Sequence, residues 1–205
     1  MALVKYNNNS ISSVTALGSL SSGSLNLITT NTISSGVSSS SFTSSINSTY
    51  DTYMFKFINM HAANEYDPFQ INFSVDGGSN YNVTKTTTFF RARHNEAGNT
   101  TGIPYETGQD IAQGTGYQNL TYNNGISNDE STSGTIFLFN PSNTTFVKHF
   151  ISINSGLEGG GFYQNTYVAG YANTTSAINA VDFKMSSGNI DSGVIKMYGL
   201  SKSWA

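Results

Sequence analysis

The sequence DTYMFKFINM at residues 51–60 and the sequence FQINFSVDGGSNYNVTKTTTFFRAR at residues 69–93 decide the fold. Apolar and polar residues alternate at the start of the second segment, which is the period-two pattern of a half-buried strand. The turn sequence Asp76–Asn80 follows, and its two glycines accept positive φ angles at no steric cost. The Thr- and Phe-rich stretch Val83–Arg93 then predicts a returning strand. These two strands are expected to form a β-hairpin, to which Tyr53–Ile58 adds a third strand.

The rest of the chain predicts further short strands separated by turn sequences. The expected strands are 25–28, 37–42, one near 117–122, 134–139 paired with 145–153 in a second hairpin, 162–171, 180–185 and 194–200. The glycine-rich residues 156–161 predict a flexible loop. Residues 95–128 predict a long excursion, a type of segment that is usually functional or interfacial. Residues 136–139 are apolar on both faces, which suits a buried central strand of a large core or a subunit interface.

This spacing of strands and turns, without helical periodicity, predicts an all-β fold. We expect a jelly-roll-like antiparallel β-sandwich over residues 25–205, preceded by an extended N-terminal docking arm over residues 1–24. Within the arm, the short apolar patch of Leu3, Val4 and Tyr6 is the expected contact with a partner.

Composition limits the classes of function. Only 10% of the 205 residues are charged, against about 25% in average soluble domains, and 13% are aromatic. The net charge of −3 gives no basic footprint for nucleic acid. There is no cysteine for a disulfide, a thiolate zinc site or a nucleophile. The sequence also contains no apolar run of membrane-helix length and no signal-peptide core at its start, so neither membrane insertion nor ordinary export is expected.

Motifs for chemistry are weak. His61, His94 and His149 do not share the short spacing of a metal pair, so no metal or other cofactor is expected. A glycosidase needs two carboxylates facing one sugar ring. The acidic pairs Glu65 with Asp67, Glu106 with Asp110, and Asp129 with Glu130 are more simply interpreted as solvated loop residues. No catalytic residue is predicted.

Tyrosines in the excursion and the late loops are the more suggestive residues. Tyr105, Tyr117, Tyr122 and Tyr163 are neutral and amphipathic, and Tyr167 shares this character. Such rings stack on sugars and also anchor protein interfaces, while core packing is the alternative for those on strands. We therefore predict these four tyrosines as candidate ligand-facing residues.

Five segments resemble virion structural proteins of tailed bacteriophages, especially marine ones. They are MALVKYNNNS at 1–10, STYDTYMFKFIN at 48–59, SVDGGSNY at 74–81, FVKHFI at 146–151 and FKMSSGNIDSGVIKMYGL at 183–200. The resembling proteins are described as tail fibres, tail appendages, head decorations or structural proteins. The resemblance implies a homotrimer in the virion, assembled in the host bacterial cytoplasm, and it implies no catalytic residues.

The sequence thus favours a non-enzymatic virion structural protein, a surface decoration or short tail-appendage module that contacts other capsid or tail proteins through its arm. The first alternative is a receptor-binding tail-fibre or knob module that recognises host surface glycan. The second alternative is a glycan depolymerase acting through Glu106 and Asp110.

Overall fold

The computed structural model describes residues 25–200, which form twelve strands. The strands are β1 Leu25–Ile33, β2 Ser40–Phe42, β3 Thr52–Ala62, β4 Phe69–Ser74, β5 Lys85–Asn95, β6 Thr101–Gly102, β7 Gln118–Asn119, β8 Thr132–Phe139, β9 Lys148–Glu158, β10 Phe162–Ala172, β11 Ala180–Met185 and β12 Ile190–Leu200. Within this range, no helix has the length and apolarity needed to cross a membrane. The predicted docking residues Leu3, Val4 and Tyr6 lie outside the described residues.

The strands form two packed antiparallel sheets, so the expected all-β sandwich is confirmed. The large sheet has eight strands in the order β1-β12-β3-β8-β9-β10-β5-β6, and the small sheet has four in the order β2-β11-β4-β7. The predicted hairpin of residues 134–139 and 145–153 is confirmed as β8 and β9, which pair from Thr132 with Gly156 to Leu138 with Phe150.

The predicted hairpin of Phe69–Val75 with Val83–Arg93 is wrong. Its first strand, β4, pairs with β11 and β7 in the small sheet, whereas its second strand, β5, pairs with β10 and β6 in the large sheet. Nor is Tyr53–Ile58 their neighbour, because β3 lies between β12 and β8. The Asp76–Asn80 turn is real, but the chain then continues through residues 81–84 to the other sheet. Alternation and turn chemistry are the same for a hairpin and for such a corner between sheets.

The predicted flexible loop 156–161 is also shorter than expected. Gly156 and Leu157 belong to β9, which ends at Glu158, and the turn to β10 contains only residues 159–161. A Cβ atom on Gly156 would lie 2.4 Å from the Thr132 hydroxyl oxygen and 2.8 Å from the Ser131 carbonyl oxygen. The glycine therefore allows close approach of neighbouring backbone, and does not mark a loop.

The apolar core lies between the small sheet and strands β12, β3, β8 and β9. Rings from both sheets meet there: Phe55 with Phe183 at 5.5 Å, Phe57 with Phe69 at 5.2 Å, and Phe73 with Phe150 at 5.2 Å between centroids. All six side chains are at most 1% exposed. Large rings packed edge-on or stacked supply most of the apolar burial that holds the sheets together.

The excursion of residues 96–131 covers the remaining inner face, on β9, β10 and β5. The backbone carbonyl of Leu120 accepts hydrogen bonds from Asn154 Nδ2 at 2.6 Å and from Thr166 Oγ1 at 2.8 Å. Lys85 Nζ donates to the Gly116 carbonyl at 2.6 Å. A buried irregular backbone carries polar groups that no ladder satisfies. The inner face under the excursion therefore combines buried polar groups with the apolar side chains of Phe89 and Val168, in contrast to the aromatic half under the small sheet.

Candidate functional site

The outer face of the large sheet, directed away from the small sheet, carries the most distinctive surface of the described residues. Strands β9, β10 and β5 each place five side chains on it, and their registers form five cross-strand rows. The rows are His149–Tyr171–Thr86, Ile151–Ala169–Thr88, Ile153–Tyr167–Phe90, Ser155–Asn165–Ala92 and Leu157–Tyr163–His94. None of these residues is Asp, Glu, Lys or Arg. We call this set the outer grid.

The middle row of the outer grid forms an aromatic ridge. Phe90 and Tyr167 stack with centroids 5.0 Å apart and ring planes within 6° of parallel. Ile153 extends the ridge on one side, and Tyr105, bridged to Phe90, extends it on the other. The four side chains are 36–50% exposed. Burying so much apolar surface is favourable, so an exposed row of this kind indicates a contact surface.

A hollow lies on each side of the ridge, because the neighbouring rows have small central residues. The Ala169 hollow has a volume of 530 Å³ and is lined by Thr86–Thr88, His149–Ile151 and Ala169–Tyr171. The Ala92 hollow has a volume of 440 Å³ and is lined by Ala92–His94, Thr101–Ile103, Tyr163 and Asn165. The face is thus a ridge between two shallow depressions.

The apolar surface continues onto β8 and ends at β3. Phe137 pairs with Ile151 and with Met54, and Phe139 at the end of β8 is 37% exposed. Of the two alternatives for residues 136–139, burial of both faces in a large core is therefore wrong for the outward half, and a subunit interface stays a prediction. Lys56 and Lys196, paired across β3 and β12, mark the charged border of the surface.

A buried ionic cluster lies beneath the Ala92 side of the outer grid. Arg91, 2% exposed, donates from Nε to Glu106 at 2.8 Å and from Nη1 to Glu158 at 2.9 Å. Its guanidinium lies 3.7 Å from the centroid of the Tyr122 ring. Burial raises the pKa of the Glu158 carboxyl, while the Arg91 charge opposes that rise. These contacts bind the excursion to the sheet and fix the inner side of β5.

The structure brings two of the four predicted tyrosines to one face. Tyr163 is 55% exposed in the outer grid, and its hydroxyl lies 2.5 Å from that of Ser155. Tyr105 is 50% exposed at the end of the ridge, and its hydroxyl donates to Asp110 at 2.7 Å. Tyr122 is half-buried under Arg91.

Tyr117 lies on the other side of the molecule, against the outer face of the small sheet. Its hydroxyl donates to Asp182 at 2.9 Å, and the Lys184 ammonium lies 4.5 Å from the centroid of its ring. Burial and the neighbouring carboxylate raise the pKa of the Tyr117 hydroxyl. The four predicted tyrosines therefore do not form one site.

The histidines do not form one site, and the carboxylates of the candidate depolymerase pair are bonded to other side chains. Glu106 is held by Arg91 and Asp110 by Tyr105, so each carboxylate of the candidate depolymerase pair has a protein partner. His94 and His149 lie in opposite end rows of the outer grid, and His61 contacts Asp191 at 3.2 Å. Within residues 25–200, no group of three or more His, Asp or Glu side chains is placed to hold a metal ion.

Sequence reasoning missed most of the outer grid. Phe90, Ile151 and Ile153 each stand in a run that alternates with buried residues, and the partly apolar outward half of each run was the available signal. The amphipathic ring of Tyr167 was evident in the sequence, but its place beside them was not. These residues can be recognised as one surface only when the registers of β9, β10 and β5 place them side by side. No protein-family model, no curated protein and no solved structure matches the chain.

Proposed function

We propose that the chain is a non-enzymatic structural protein of a bacteriophage virion, a surface decoration or short tail-appendage module that assembles as a homotrimer with other capsid or tail proteins. The observation that carries this proposal is the outer grid with its extension onto β8. A polar, weakly charged protein that exposes a contiguous aromatic and aliphatic sheet face needs a protein partner to cover it. The resemblance of five sequence segments to phage virion proteins supplies the biological setting.

The exposed face suits a particle component for a physical reason. Interface cores are depleted in charge and enriched in aromatic residues, which is the composition of the outer grid. The Arg91 cluster and the buried amides of the excursion hold that face on a rigid support. A module that must present a fixed surface to neighbouring subunits benefits from this rigidity because little ordering entropy is lost on association.

Immunogold labelling of intact particles tests the proposal. Label spread over the head would support a decoration protein, and label confined to the tail or its tip would support an appendage. Particles without label, in preparations where a known capsid protein is labelled, would overturn the virion assignment. Truncation of residues 1–10 tests the docking arm, because normal incorporation of the shortened chain would show that the arm is not the anchor.

The Ala92 hollow favours a second candidate function, the recognition of neutral host-surface glycan. Tyr163 offers an exposed ring, while Thr101, Asn165 and Ser155 offer neutral hydrogen-bonding groups around it. Sugar faces stack on such rings, and their hydroxyls pair with neutral donors and acceptors. Binding on a glycan array that disappears in Tyr163→Ala and persists in Tyr117→Ala would support this function. Equal binding by both variants would exclude the hollow as the site.

A further inference from the structure

We propose that the outer grid binds the outer grid of a second copy of this chain, with the aromatic ridge of each copy seated in the Ala169 hollow of the other. The proposal deepens the assembly role given above and rests on it for its biological setting. It assigns a contact surface and an occupant to the apolar face.

The shape of the surface fits a copy of itself. Adjacent outward rows are two residues apart, so the ridge and the centre of each hollow are separated by about 7 Å along the strands. When a second copy faces the first with this offset, its ridge enters the hollow and its own hollow covers the first ridge. A contact in which the same two features meet twice is the isologous arrangement of a two-fold axis, so the proposed contact joins copies in pairs.

The Ala169 hollow is the better receptor for the ridge. Its lining includes Ile151, Phe150 and Ala169, and it adjoins Phe137 of β8. The Ala92 hollow contains Arg93 and lies beside the ionic cluster of Arg91. Seating an aromatic ridge near a guanidinium and polar amides would remove their water without supplying hydrogen bonds. The more apolar hollow therefore has the lower desolvation cost.

The charge distribution is compatible with a second copy of this chain as the partner, since the nearby carboxylates of Asp110, Glu96 and Asp129 lie at the border of the outer grid. Two outer grids can meet without opposing like charges, because their outward residues include no Asp, Glu, Lys or Arg. Lys56 and Lys196 lie beyond β8 and would repel each other in a contact centred on β3 and β12. The contact is therefore centred on β9, β10 and β5.

Area and edge protection agree with a face-to-face contact. The region consists of the eleven-residue strands β9, β10 and β5 with eight residues of β8 and six of the segment 101–106 beside them, which gives roughly 770 Å² at about 4.8 Å per strand and 3.4 Å per residue. A standard interface uses about 800 Å² from each partner. The edge of β5 is already bonded to the excursion, where Arg91 N donates to the Pro104 carbonyl and Glu106 N donates to the Phe89 carbonyl. Its sheet face is therefore available while its edge is not.

The first measurement is the mass of the full chain by light scattering after gel filtration, over chain concentrations of about 1 µM to 1 mM. We expect an even multiple of the 22.0 kDa chain mass, because the reciprocal contact joins copies in pairs, and an odd multiple would overturn the reciprocal seating. A mass of 22.0 kDa throughout would overturn the proposal. If such a monomer bound neutral polysaccharide, the outer grid would be assigned to glycan recognition instead of self-association.

Matched substitutions locate the contact. Ala169→Gln fills the Ala169 hollow without adding charge, and Ile153→Lys places a charge on the ridge. Both variants are expected to run at 22.0 kDa where the unmodified chain is assembled. The control Ala92→Gln makes the same change in the hollow that receives no ridge, and it is expected to weaken assembly less than Ala169→Gln does. Loss of assembly in all three variants, or in none, would overturn the proposed seating.

Crosslinking gives a readout that does not depend on loss of assembly. The chain has no cysteine, so a thiol introduced by Ile153→Cys is unique in each copy. A short bis-maleimide is expected to link it between chains, whereas Ser79→Cys, in the turn after β4, is expected to stay unlinked. Equal linking at both positions would mean random collision and would contradict the proposal. Each of these results is independent of where the protein lies on a particle, so the virion assignment and the self-contact can fail separately.

Discussion

Replacing Arg91 with methionine should destabilise the sandwich strongly, because it leaves a buried carboxylate without its closest cation. Arg91 and Glu158 are 2% and 5% exposed, and their contact is 2.9 Å. Removing one partner of a buried pair costs about 3–5 kcal/mol. Glu106, whose side chain is 20% exposed, keeps access to water and adds little to that cost. We expect Arg91→Met to lower the free energy of unfolding by about 4 kcal/mol at pH 7.

The pH dependence identifies the cause. Burial raises the pKa of Glu158 in the folded protein, so the folded state binds more protons than the unfolded state above the ordinary carboxyl range. The contribution of Glu158 to stability therefore falls as pH rises from the ordinary carboxyl pKa to the raised pKa of the folded protein. Arg91→Met removes the charge that opposes this rise, so the pKa of Glu158 in the folded variant is higher still. The cost of the substitution should be smaller near pH 5 than at pH 7.

Urea unfolding followed by circular dichroism, at one fixed chain concentration, measures these quantities. Glu158→Gln should recover about 1–3 kcal/mol in the Arg91→Met background, because a neutral amide does not need the cation. Lys196→Met, which removes a cation from the outer face, is the control and should change stability by less than about 0.5 kcal/mol. A cost below about 1 kcal/mol, or a cost that is equal at both pH values, would refute the buried-pair argument.

Three further outcomes follow from local contacts. Burial lowers the pKa of Lys85 to about 8, so the unfolded state binds the extra proton between pH 8 and 10.5. The unfolding free energy of the native chain should therefore rise over that range by up to about 3 kcal/mol relative to Lys85→Met, and parallel pH profiles would contradict this. Hydrogen bonds from Ser74 and Asn80 lower the pKa of Asp76 to about 2, and carboxyl NMR titration of Asn80→Ala should show a rise toward 3.8. A Cβ atom on Gly170 would lie 2.6 Å from the Thr86 carbonyl oxygen, so Gly170→Ala should cost about 1–3 kcal/mol in urea unfolding, and an unchanged midpoint would mean that β5 and β10 can separate freely.

Local signals in the sequence were sufficient to locate most strands, but they did not identify which strands pair with each other. Residues 134–139 and 145–153 were paired correctly because consecutive strands joined by a short connection, here residues 140–147, usually pair with each other. Residues 69–75 and 83–93 show equally clear alternation and turn chemistry, yet they lie in different sheets. The difference is in hydrogen-bond partners far along the chain: β4 pairs with β11, and β5 pairs with β10. Nothing local to residues 69–93 encodes those pairings.

The candidate site was predictable only in fragments. Exposed, amphipathic rings made Tyr105 and Tyr163 reasonable candidates, and both lie on the outer face. The same reasoning selected Tyr122, whose ring lies under Arg91, a residue 31 positions away. An aromatic side chain looks alike in sequence whether it faces solvent or supports a buried cation.

The sequence by itself determined the all-β class, since alternation, turn residues and the scarcity of charge act over a few residues at a time. Tertiary structure alone decided which outward half-strands lie side by side. Ile153, Tyr167 and Phe90 form one ridge because two long antiparallel registers align them, although they are distant in the chain. Tertiary structure also decided that buried polar groups such as Asn154 and Thr166 stand beside Phe89 and Val168 on the inner face, because the irregular excursion covering that face needs hydrogen-bond partners.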